Sequence, residues 1–493
     1  MGENMEQLKK HKKELILFAI VFVIALTMCG AFLQPHYTHD TYRIVYDGYA
    51  DYAQNWFLKE ARPFSALLTF GAGAIGLSIE SYSLISFLLA IVFFTCSIII
   101  VYKIFEKELT KNSKWMHVLI LITSFVIIFN YLAIEHIFFV ECCMFALGIL
   151  LSVLAAKVVI NKEQYAHIKA FIILVIGAFC YQGSIAIFPM IVFAHELLLK
   201  KQSFKENFME LLKTTLVYGI AMFLTIIFAR IMADASRISM NFDAVNISTI
   251  ISTLKDLVVN SLGVIPPYVN IGVIAFTILY IVLFDKSEAK AKTFYILKYL
   301  LVVLAAITIC MAPVFVGSAT FIYPRISIAY GTTIGISLLV MLYIVQNSKK
   351  KYQLIIVSVI IIITFILNFG LYVALTNQHI LTNKIDKESC LLIKQKVEEY
   401  EEDTGITITK IASIIHPRVE AYYPNMIHAG AITQKALGTW ATRETISFYL
   451  DRKLLFVDIS PEQYIPWWGD KHWNSFSIEQ VVLEGDTLYF CAI

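Results

Sequence analysis

Residues 82–104 read YSLISFLLAIVFFTCSIIIVYKI, a mainly apolar stretch that is followed by Lys107, Lys111 and Lys114. A bilayer core requires about 20 apolar residues of helix, so this stretch is long enough to cross it. Short loops rich in lysine stay on the cytoplasmic side of a membrane. The stretch therefore predicts a transmembrane helix whose C-terminal end faces the cytoplasm.

The rest of the chain has the composition of an integral membrane protein. Of its 493 residues 58% are hydrophobic and only 16% are charged, and the mean hydropathy is +0.71. Soluble domains carry more charge. Apolar stretches predict about 11 transmembrane helices, at 15–34, 82–104, 116–133, 137–158, 167–181, 183–199, 214–233, 263–284, 293–314, 325–346 and 352–376. The expected fold class is a polytopic α-helical membrane protein.

Charge and cysteine usage exclude two classes of function. The net charge of +3 is too small to indicate binding of nucleic acid or another polyanion. The eight cysteines show neither a CxxC pair nor the Cys/His spacing of a zinc site, so no metal framework is expected. Cys390 and Cys491 could form a disulfide or remain buried free thiols.

Lysines between the apolar stretches fall in alternate loops, which predicts the orientation of the chain. They are Lys9, Lys10, Lys12, Lys13, Lys107, Lys111, Lys114, Lys157, Lys162, Lys200, Lys201, Lys205, Lys286, Lys290, Lys292, Lys349, Lys350 and Lys351. The N-terminus is then inside and the first loop, residues 35–81, outside. An apolar stretch from Phe64 to Ile79 cannot be a further full span, because it would move Lys107 outside. We expect a re-entrant or surface-lying helix, packed closely on a neighbour through its glycines.

The chain divides into a transmembrane domain, residues 1–376, and a domain of soluble composition, residues 377–493. An odd number of spans places the second domain outside the cell. Helical spacing behind Asp386 predicts a helix that ends at Thr404-Gly405. Later stretches predict strands at 406–415, 454–458, 481–483 and 487–490 and a helix at 442–450. A small extracytoplasmic α/β domain is therefore expected.

The first outer loop combines acids, bases and aromatic residues in HYTHDTYRIVYDGYADYAQNWFLKEARP, residues 36–63. Asp40 lies near the headgroup level, where its carboxylate could remove a proton from an attacking hydroxyl. Arg43 and Arg62 could hold a phosphate through paired N–H donors. His39 could modulate the acid or donate to the phosphate. The alternative is that these charges pair with one another or with lipid headgroups.

Further acids near the same face compete with Asp40 for the role of base. They are Asp47, Asp51, Glu60, Glu135 and Glu141. Glu135 stands beside His136 at the end of the third span, and Glu141 is predicted to lie a turn or two inside the fourth. A carboxylate within the membrane is costly and indicates function, although a hydrogen bond that locks helix packing is the alternative for Glu141. Glu135 and Glu141 are retained as catalytic reserves, and Asp47 and His136 as substrate-binding candidates.

Other candidates for substrate binding lie near the same face. Tyr181 and Gln182, in the tight turn between two short spans, could bind substrate hydroxyls or cap the turn. Arg325, at the entrance to the tenth span, could contact a lipid phosphate or extend to the interface without a further role. Trp467 and Trp468 could stack on a sugar, anchor the domain at the interface or pack in a core.

Short motifs along the chain occur in the order found in one enzyme family. They are Asp40, Arg43, Gly48, Trp56 and Arg62-Pro63 in the first loop, Tyr181-Gln182 in the middle, and Tyr400, Thr404-Gly405, Ile411-Ala412, Trp440-Ala441, Trp473, Phe476, Glu479-Gln480 and Gly485-Asp486-Thr487 near the end. The chain thus resembles the Gtr type II family of polyprenyl-phosphate-sugar-dependent glucosyltransferases, a family of the GT-C membrane glycosyltransferases, in the variant with an outer C-terminal domain. Two departures stand out. His39-Asp40 replaces the two adjacent acids of many relatives, so Asp40 alone inherits their role, and Ala61 replaces an expected glycine.

The resemblance implies transfer of a hexose, with glucose expected, from undecaprenyl phosphate to a cell-surface glycopolymer such as an O-antigen, a teichoic acid or another polysaccharide. The reaction would take place on the outer face of the cytoplasmic membrane of a bacterium. No cofactor is expected, while a divalent metal ion is left open. Besides the lipid bilayer, a flippase and a polyprenyl-phosphate sugar synthase are the implied partners.

The resulting hypothesis is an inverting transfer. Asp40 deprotonates the acceptor hydroxyl, while Arg43, Arg62 and Arg325 stabilise the departing phosphate. The sequence contains no nucleotide-binding signature. The alternatives are a flippase or transporter of a lipid-linked glycan, for which internal repeats would be expected, a noncatalytic anchor of a surface-polymer complex, and a ligase that transfers a whole lipid-linked glycan.

Overall fold

The computed structural model is mainly α-helical. It describes residues 2–109, 113–200, 204–232, 247–315, 322–346, 348, 350–415, 421–469, 471, 473 and 475–492. The helices are α1 (Gly2–Met28), α2 (His39–Asp47), α3 (Tyr49–Tyr52), α4 (Pro63–Ala74), α5 (Ile79–Leu109), α6 (Lys114–Ile128), α7 (Cys142–Ile160), α8 (Ala166–Cys180), α9 (Ile187–Phe193), α10 (Phe204–Met232), α11 (Ile247–Val258), α12 (Val269–Phe284), α13 (Ala289–Phe315), α14 (Ile328–Gln346), α15 (Lys351–Thr404), α16 (Thr442–Leu450) and α17 (Pro461–Trp468). Short 3-10 helices include Ala133–Ile137, Gln182–Ala186 and Pro324–Ile326, and π-helical turns occupy Ala53–Leu58 and Ala194–Leu199.

Seven helices of the described chain are long and apolar enough to cross a membrane. They are α5, α7, the continuous stretch Gln182–Leu199 that contains α9, Lys205–Met232 of α10, α13, α14 and α15. The apolar helices α6, α8 and α12 are shorter than 18 residues. Each predicted span overlaps a helix, while a count of eleven crossings stays a prediction. The chain is a polytopic membrane protein.

The first loop is folded into short helices that form an apolar cluster of their own. Helix α2 begins at a capping box, in which the Thr38 hydroxyl accepts from the Thr41 N–H at 3.1 Å. Tyr52 and Phe57 are buried with residues of α4 and the start of α5. A Cβ added at Gly73 would lie 2.6 Å from the Cβ of Tyr49, so α4 does pack closely on a neighbour. Whether α4 is re-entrant or surface-lying stays a prediction.

Helix α15 continues without interruption for 54 residues, from Lys351 to Thr404. The predicted domain boundary at residue 376 falls inside this helix. Gly405, with φ of 73°, caps its end in the left-handed conformation that glycine adopts readily, as the Thr404-Gly405 pair predicts. The same helix therefore packs in the apolar membrane core and in the C-terminal part.

The C-terminal part contains a four-stranded mixed sheet in the order β2-β1-β4-β3. Its strands are β1 (Lys410–Ile415), β2 (Leu455–Phe456), β3 (Val481–Glu484) and β4 (Thr487–Ala492). Strand β1 runs parallel to β2 and β4, and β3 pairs with β4 as a hairpin. The sheet packs with α15 and α16 around an apolar cluster that includes Ile393 and Phe490. Cys390 and Cys491 are both buried free thiols.

Residues 421–441, here called the bridging segment, connect the region after β1 to α16 and lie against the membrane helices. Asp386 of α15 holds the segment together, because its carboxylate accepts from the Tyr423 hydroxyl at 2.7 Å and from the Ala436 N–H at 2.8 Å. The segment also contacts α15 directly, since the Ile427 N–H donates to the Gln378 side chain at 2.9 Å.

Candidate functional site

Asp40 occupies the first turn of α2, where a carboxylate interacts favourably with the helix dipole. The Tyr52 hydroxyl is hydrogen-bonded to this carboxyl group. Burial raises the pKa of Asp40, and the negative charge of Glu60 raises it further, while Tyr52 and the guanidinium groups of Arg325 and Arg62 act in the opposite direction. Asp40 is only partly buried, so a reacting group can reach it.

Arg62 lies directly before Pro63, the first residue of α4, and points into the same region. Its guanidinium is 3.1 Å from a carboxylate oxygen of Glu60 and 4.0 Å from one of Glu141. The guanidinium stacks over the ring of Tyr181, with the Cζ atom of Arg62 4.8 Å from the ring centroid. With a side chain only 18% exposed, Arg62 presents a largely desolvated positive charge.

The turn that carries Arg62 is held by Gln182. The Gln182 amide donates to the carbonyl oxygens of Glu60 and Ala61 at 2.8 and 3.0 Å. Ala61 has a φ of 56°, the left-handed region that favours glycine. Ala61 thus replaces the expected glycine but keeps a conformation that glycine favours. The Gln182 side chain binds the backbone of the turn before Arg62 and does not cap its own turn.

Arg325 is oriented by Glu135. One Glu135 oxygen accepts from the Arg325 backbone N–H at 3.0 Å and lies 3.4 Å from the Arg325 guanidinium. The other oxygen accepts from the backbone N–H of Ala431, in the bridging segment, at 2.8 Å. Glu135 is fully buried, and its oxygens are engaged with these donors. It therefore fixes Arg325 relative to the C-terminal part.

Glu141 and His136 complete the buried surroundings. Glu141 immediately precedes α7, and its side chain is 1% exposed. Among the described residues neither Glu141 oxygen has a hydrogen-bond partner. Burial, helped by the charge of Asp40 and opposed by Arg62, raises the pKa of Glu141 to about 8. Burial and the nearby Arg325 lower the pKa of His136 to about 3, so its ring is neutral at pH 7.

These contacts and charge interactions bring together residues from both ends of the membrane part. We call them the Asp40 cluster: Asp40, Tyr52, Glu60, Arg62, Glu141, Tyr181 and Arg325. The cluster combines an accessible carboxylate with two guanidinium groups, of which that of Arg62 lies over the ring of Tyr181. Such an arrangement can bind an anion next to a base.

Three predicted residues of the first loop lie beside the cluster and face the bridging segment. Arg43 pairs with Asp47 at 3.2 Å and lies over the ring of Trp56, 4.0 Å from its centroid. The His39 ring nitrogen Nε2 is 3.1 Å from the Lys435 carbonyl oxygen. Arg62 and Arg325 act on the charge of the Asp40 carboxyl and Arg43 is not among the groups that do, so a role of Arg43 in phosphate binding stays a prediction.

Trp467 and Trp468 lie in α17 and pack on the C-terminal sheet. The Trp467 ring is 5.0 Å from that of Tyr489, and the Trp468 indole N–H donates to the Glu479 carbonyl oxygen at 3.1 Å. Among the described residues, no hydrogen bond or ring contact joins either indole to the Asp40 cluster. Of the interpretations offered for this pair, packing in a core fits these contacts best.

Sequence reasoning missed several parts of the site. Tyr52 was not considered, although the loop is rich in tyrosine, and the bridging segment was given no structure. Trp440 stood in the family pattern without an assigned role. As for a metal site, no group of three His, Cys, Asp or Glu side chains within the described ranges is placed to hold an ion.

One comparison with known proteins bears on this arrangement. A family model with the description Glucosyl transferase GtrII matches residues 29–333, more than half of the chain. The matched range contains the whole Asp40 cluster and ends before the bridging segment. No curated protein matches the chain.

Proposed function

Because the chain belongs to the Glucosyl transferase GtrII family and is therefore a glycosyltransferase, we propose that it transfers a hexose, with glucose expected, from a polyprenyl phosphate to a surface glycopolymer. The proposed place is the outer face of the cytoplasmic membrane of a bacterium. The observation that carries the proposal is the convergence of Asp40, Arg62 and Arg325 at the ends of apolar helices, where a lipid-borne phosphate would lie.

Asp40 is the best-placed of the three candidate bases. The oxygens of Glu135 are engaged by Arg325 and Ala431, so Glu135 orients the site rather than taking up a proton. A carboxyl with a pKa of about 8 is mostly protonated at pH 7, which makes Glu141 a poor base there. Asp40 is partly accessible, and although burial and the charge of Glu60 raise its pKa, Tyr52 and the guanidinium groups of Arg325 and Arg62 act in the opposite direction.

The two arginines would receive the leaving group. As Asp40 takes the proton of the acceptor hydroxyl, the oxygen of that hydroxyl forms a bond to the anomeric carbon. The bond from the anomeric carbon to the phosphate oxygen breaks at the same time. Polyprenyl phosphate departs with the electron pair of the broken bond. Arg62 and Arg325 are both largely buried, and a charge held in such a site stabilises developing negative charge more strongly than one in water.

The test uses purified protein with synthetic polyprenyl-phosphate glucose and glycopolymer isolated from the cells that carry the protein. We expect Asp40→Asn to lower kcat by at least about 100-fold, the range of general-base contributions, with little change in the KM for donor. Asp51→Asn is the matched control, because Asp51 is an exposed carboxylate of the same loop.

Two results would count against the proposal. Unchanged kcat in Asp40→Asn would remove Asp40 from the role of base. Folded wild-type protein that leaves the donor intact, or moves it across vesicles without cleaving it, would favour the anchor or flippase alternatives.

A further inference from the structure

A half-exposed indole lies beside the Asp40 cluster without a role in the proposed reaction. Trp440, in the bridging segment, is 52% exposed. The ring of His39 stacks on it with centroids 5.6 Å apart and planes 27° apart. The guanidinium of Arg43 lies 5.6 Å from the Trp440 ring centroid and 4.0 Å from that of Trp56. We call His39, Arg43, Trp56 and Trp440 the Trp440 patch.

The patch is held at a fixed position relative to Asp40. Helix α2, which carries His39, Asp40 and Arg43, packs against α16, which begins two residues after Trp440. The Tyr46 hydroxyl donates to the Leu454 carbonyl at 2.7 Å, and the Tyr42 and Tyr449 hydroxyls are 3.3 Å apart. A ligand bound on the patch would therefore meet Asp40, the proposed base, in a constant geometry, which a transfer reaction requires.

The chemistry of the patch fits a sugar better than a phosphate. Arg43 is paired with Asp47 at 3.2 Å, so its charge is largely offset. The pair instead offers N–H donors and carboxylate acceptors, which match the hydroxyl groups of a saccharide. The indole of Trp440 supplies an apolar plane on which the C–H face of a sugar ring can stack. An apolar surface with a few convergent polar groups is typical of a small-ligand site.

We propose that the Trp440 patch, together with Asp47, binds the saccharide unit of the acceptor glycopolymer and holds its hydroxyl toward Asp40. This assignment rests on the proposed function. The donor then occupies the side of Arg62 and Arg325, and the acceptor occupies the side of Trp440. The C-terminal part, which supplies Trp440, thereby takes part in recognising the acceptor.

The test separates acceptor binding from turnover. Glycopolymer isolated from the surface of the cells that carry the protein is added to the Asp40→Asn form in nanodiscs, and its binding is measured with and without a second change, Trp440→Ala. Loss of one stacking contact should weaken polymer binding about tenfold. In the active protein, Trp440→Ala should raise the polymer KM by a similar factor and leave the KM for polyprenyl-phosphate glucose unchanged.

Two controls keep the result interpretable. Trp440→Phe retains an aromatic plane and should restore most of the binding, which a purely structural loss would not do. Trp115→Ala removes an indole of similar exposure, 45% against 52%, at the N-terminal end of α6, and it should leave both KM values unchanged.

The outcomes distinguish this inference from the proposed function. Equal polymer binding with and without Trp440, or a raised donor KM in place of a raised polymer KM, overturns the acceptor subsite. Polymer binding that depends on Trp440 in a protein that transfers no sugar supports the subsite and overturns the proposed function. A wild-type protein that neither binds the polymer nor transfers sugar overturns both.

Discussion

Glu135 and Glu141 are both buried glutamates at the same site, yet their surroundings give them opposite properties. Glu135 accepts hydrogen bonds from two backbone N–H groups and lies beside a guanidinium. Glu141 has no hydrogen-bond partner among the described residues and only a guanidinium nitrogen at 4.0 Å. Buried carboxylates require partners to stay charged, so Glu135 suits a fixed structural charge and Glu141 a neutral acid.

We predict that Glu141→Gln changes how stability depends on pH. The pKa of Glu141 in the folded protein is about 8, above its ordinary value of 4.5. The folded protein therefore holds this proton more tightly than the unfolded chain does. The contribution of Glu141 to the free energy of unfolding of the wild type falls as pH rises from about 4.5 to 8. Gln has no proton to lose, so the Tm of the variant minus that of the wild type should rise by at least about 2 °C between pH 5 and pH 8.

The control is Glu462→Gln, since Glu462 is exposed and its removal should leave the Tm difference independent of pH. A Tm difference for Glu141→Gln that is constant over this range would mean that Glu141 is ionised in the folded protein.

At this scale the sequence predicted most members of the Asp40 cluster but not which of them contact one another. Arg43 and Arg62 looked equivalent, and each is paired with a carboxylate, but only Arg62 acts on the charge of Asp40, which residue type does not show. Arg43 is paired with Asp47 four residues later in the same helix, a local contact that could have been anticipated. The contact of Arg325 with Glu135 spans 190 residues, and no local pattern predicts it.

The bridging segment shows how an irregular element can position a reactive group. Gly430 has a φ of 56°, and a Cβ built there would collide with the Glu135 carboxylate. The absence of a side chain lets the backbone approach closely enough for the Ala431 N–H to reach Glu135 at 2.8 Å. The orientation of Arg325 thus depends on a glycine in another part of the chain.

We predict that Gly430→Ala lowers transfer activity about 100-fold, because a displacement of Glu135 would move Arg325 away from the reacting phosphate. Gly485→Ala is the matched control. Its φ is 57°, so the backbone strain is similar, but a Cβ there meets nothing within 4 Å. Tm and transfer rate are measured for both variants. Equal losses of activity would show that strain alone, and not contact with Glu135, causes the effect.

Helix and strand prediction succeeded where capping residues and periodicity were explicit. Helix α16 has the predicted bounds, and Gly405 ends α15 as expected. Helix α17 was not predicted, although Ser460 and Gln463 form a capping box at its start. The polar composition after residue 376 indicated that the chain passes from lipid into water. Helix α15 continues across this point, because its backbone hydrogen bonds form within the helix in either surrounding.

The whole molecule joins the apolar helices to a polar sheet through one continuous helix and one irregular segment. Helix α15 crosses the predicted domain boundary at residue 376, and the bridging segment belongs to the second predicted domain but contacts the first. Composition identified the two parts correctly as apolar and polar. It could not show that the polar part lies against the site, because that contact involves backbone groups of the bridging segment.

We predict that the site faces the outside of the cell. In intact spheroplasts, a maleimide that cannot cross the membrane should label Asn55→Cys, in the first loop, and label Ser113→Cys only after permeabilisation. Both positions are exposed. The natural thiols give little background, because all but Cys96 are buried. Labelling in the reverse pattern would place the site in the cytoplasm and contradict the orientation predicted from lysine.

The length of α15 has a mechanical consequence. A straight helix rises about 1.5 Å per residue, so residues 377–404 extend about 40 Å past the apolar half that packs among the membrane helices. The sheet is attached to the far end of this arm, and the bridging segment returns from the sheet toward its base. A displacement of the sheet would therefore reach the membrane helices by two routes, along α15 and through the hydrogen bond from the Ala431 N–H to Glu135.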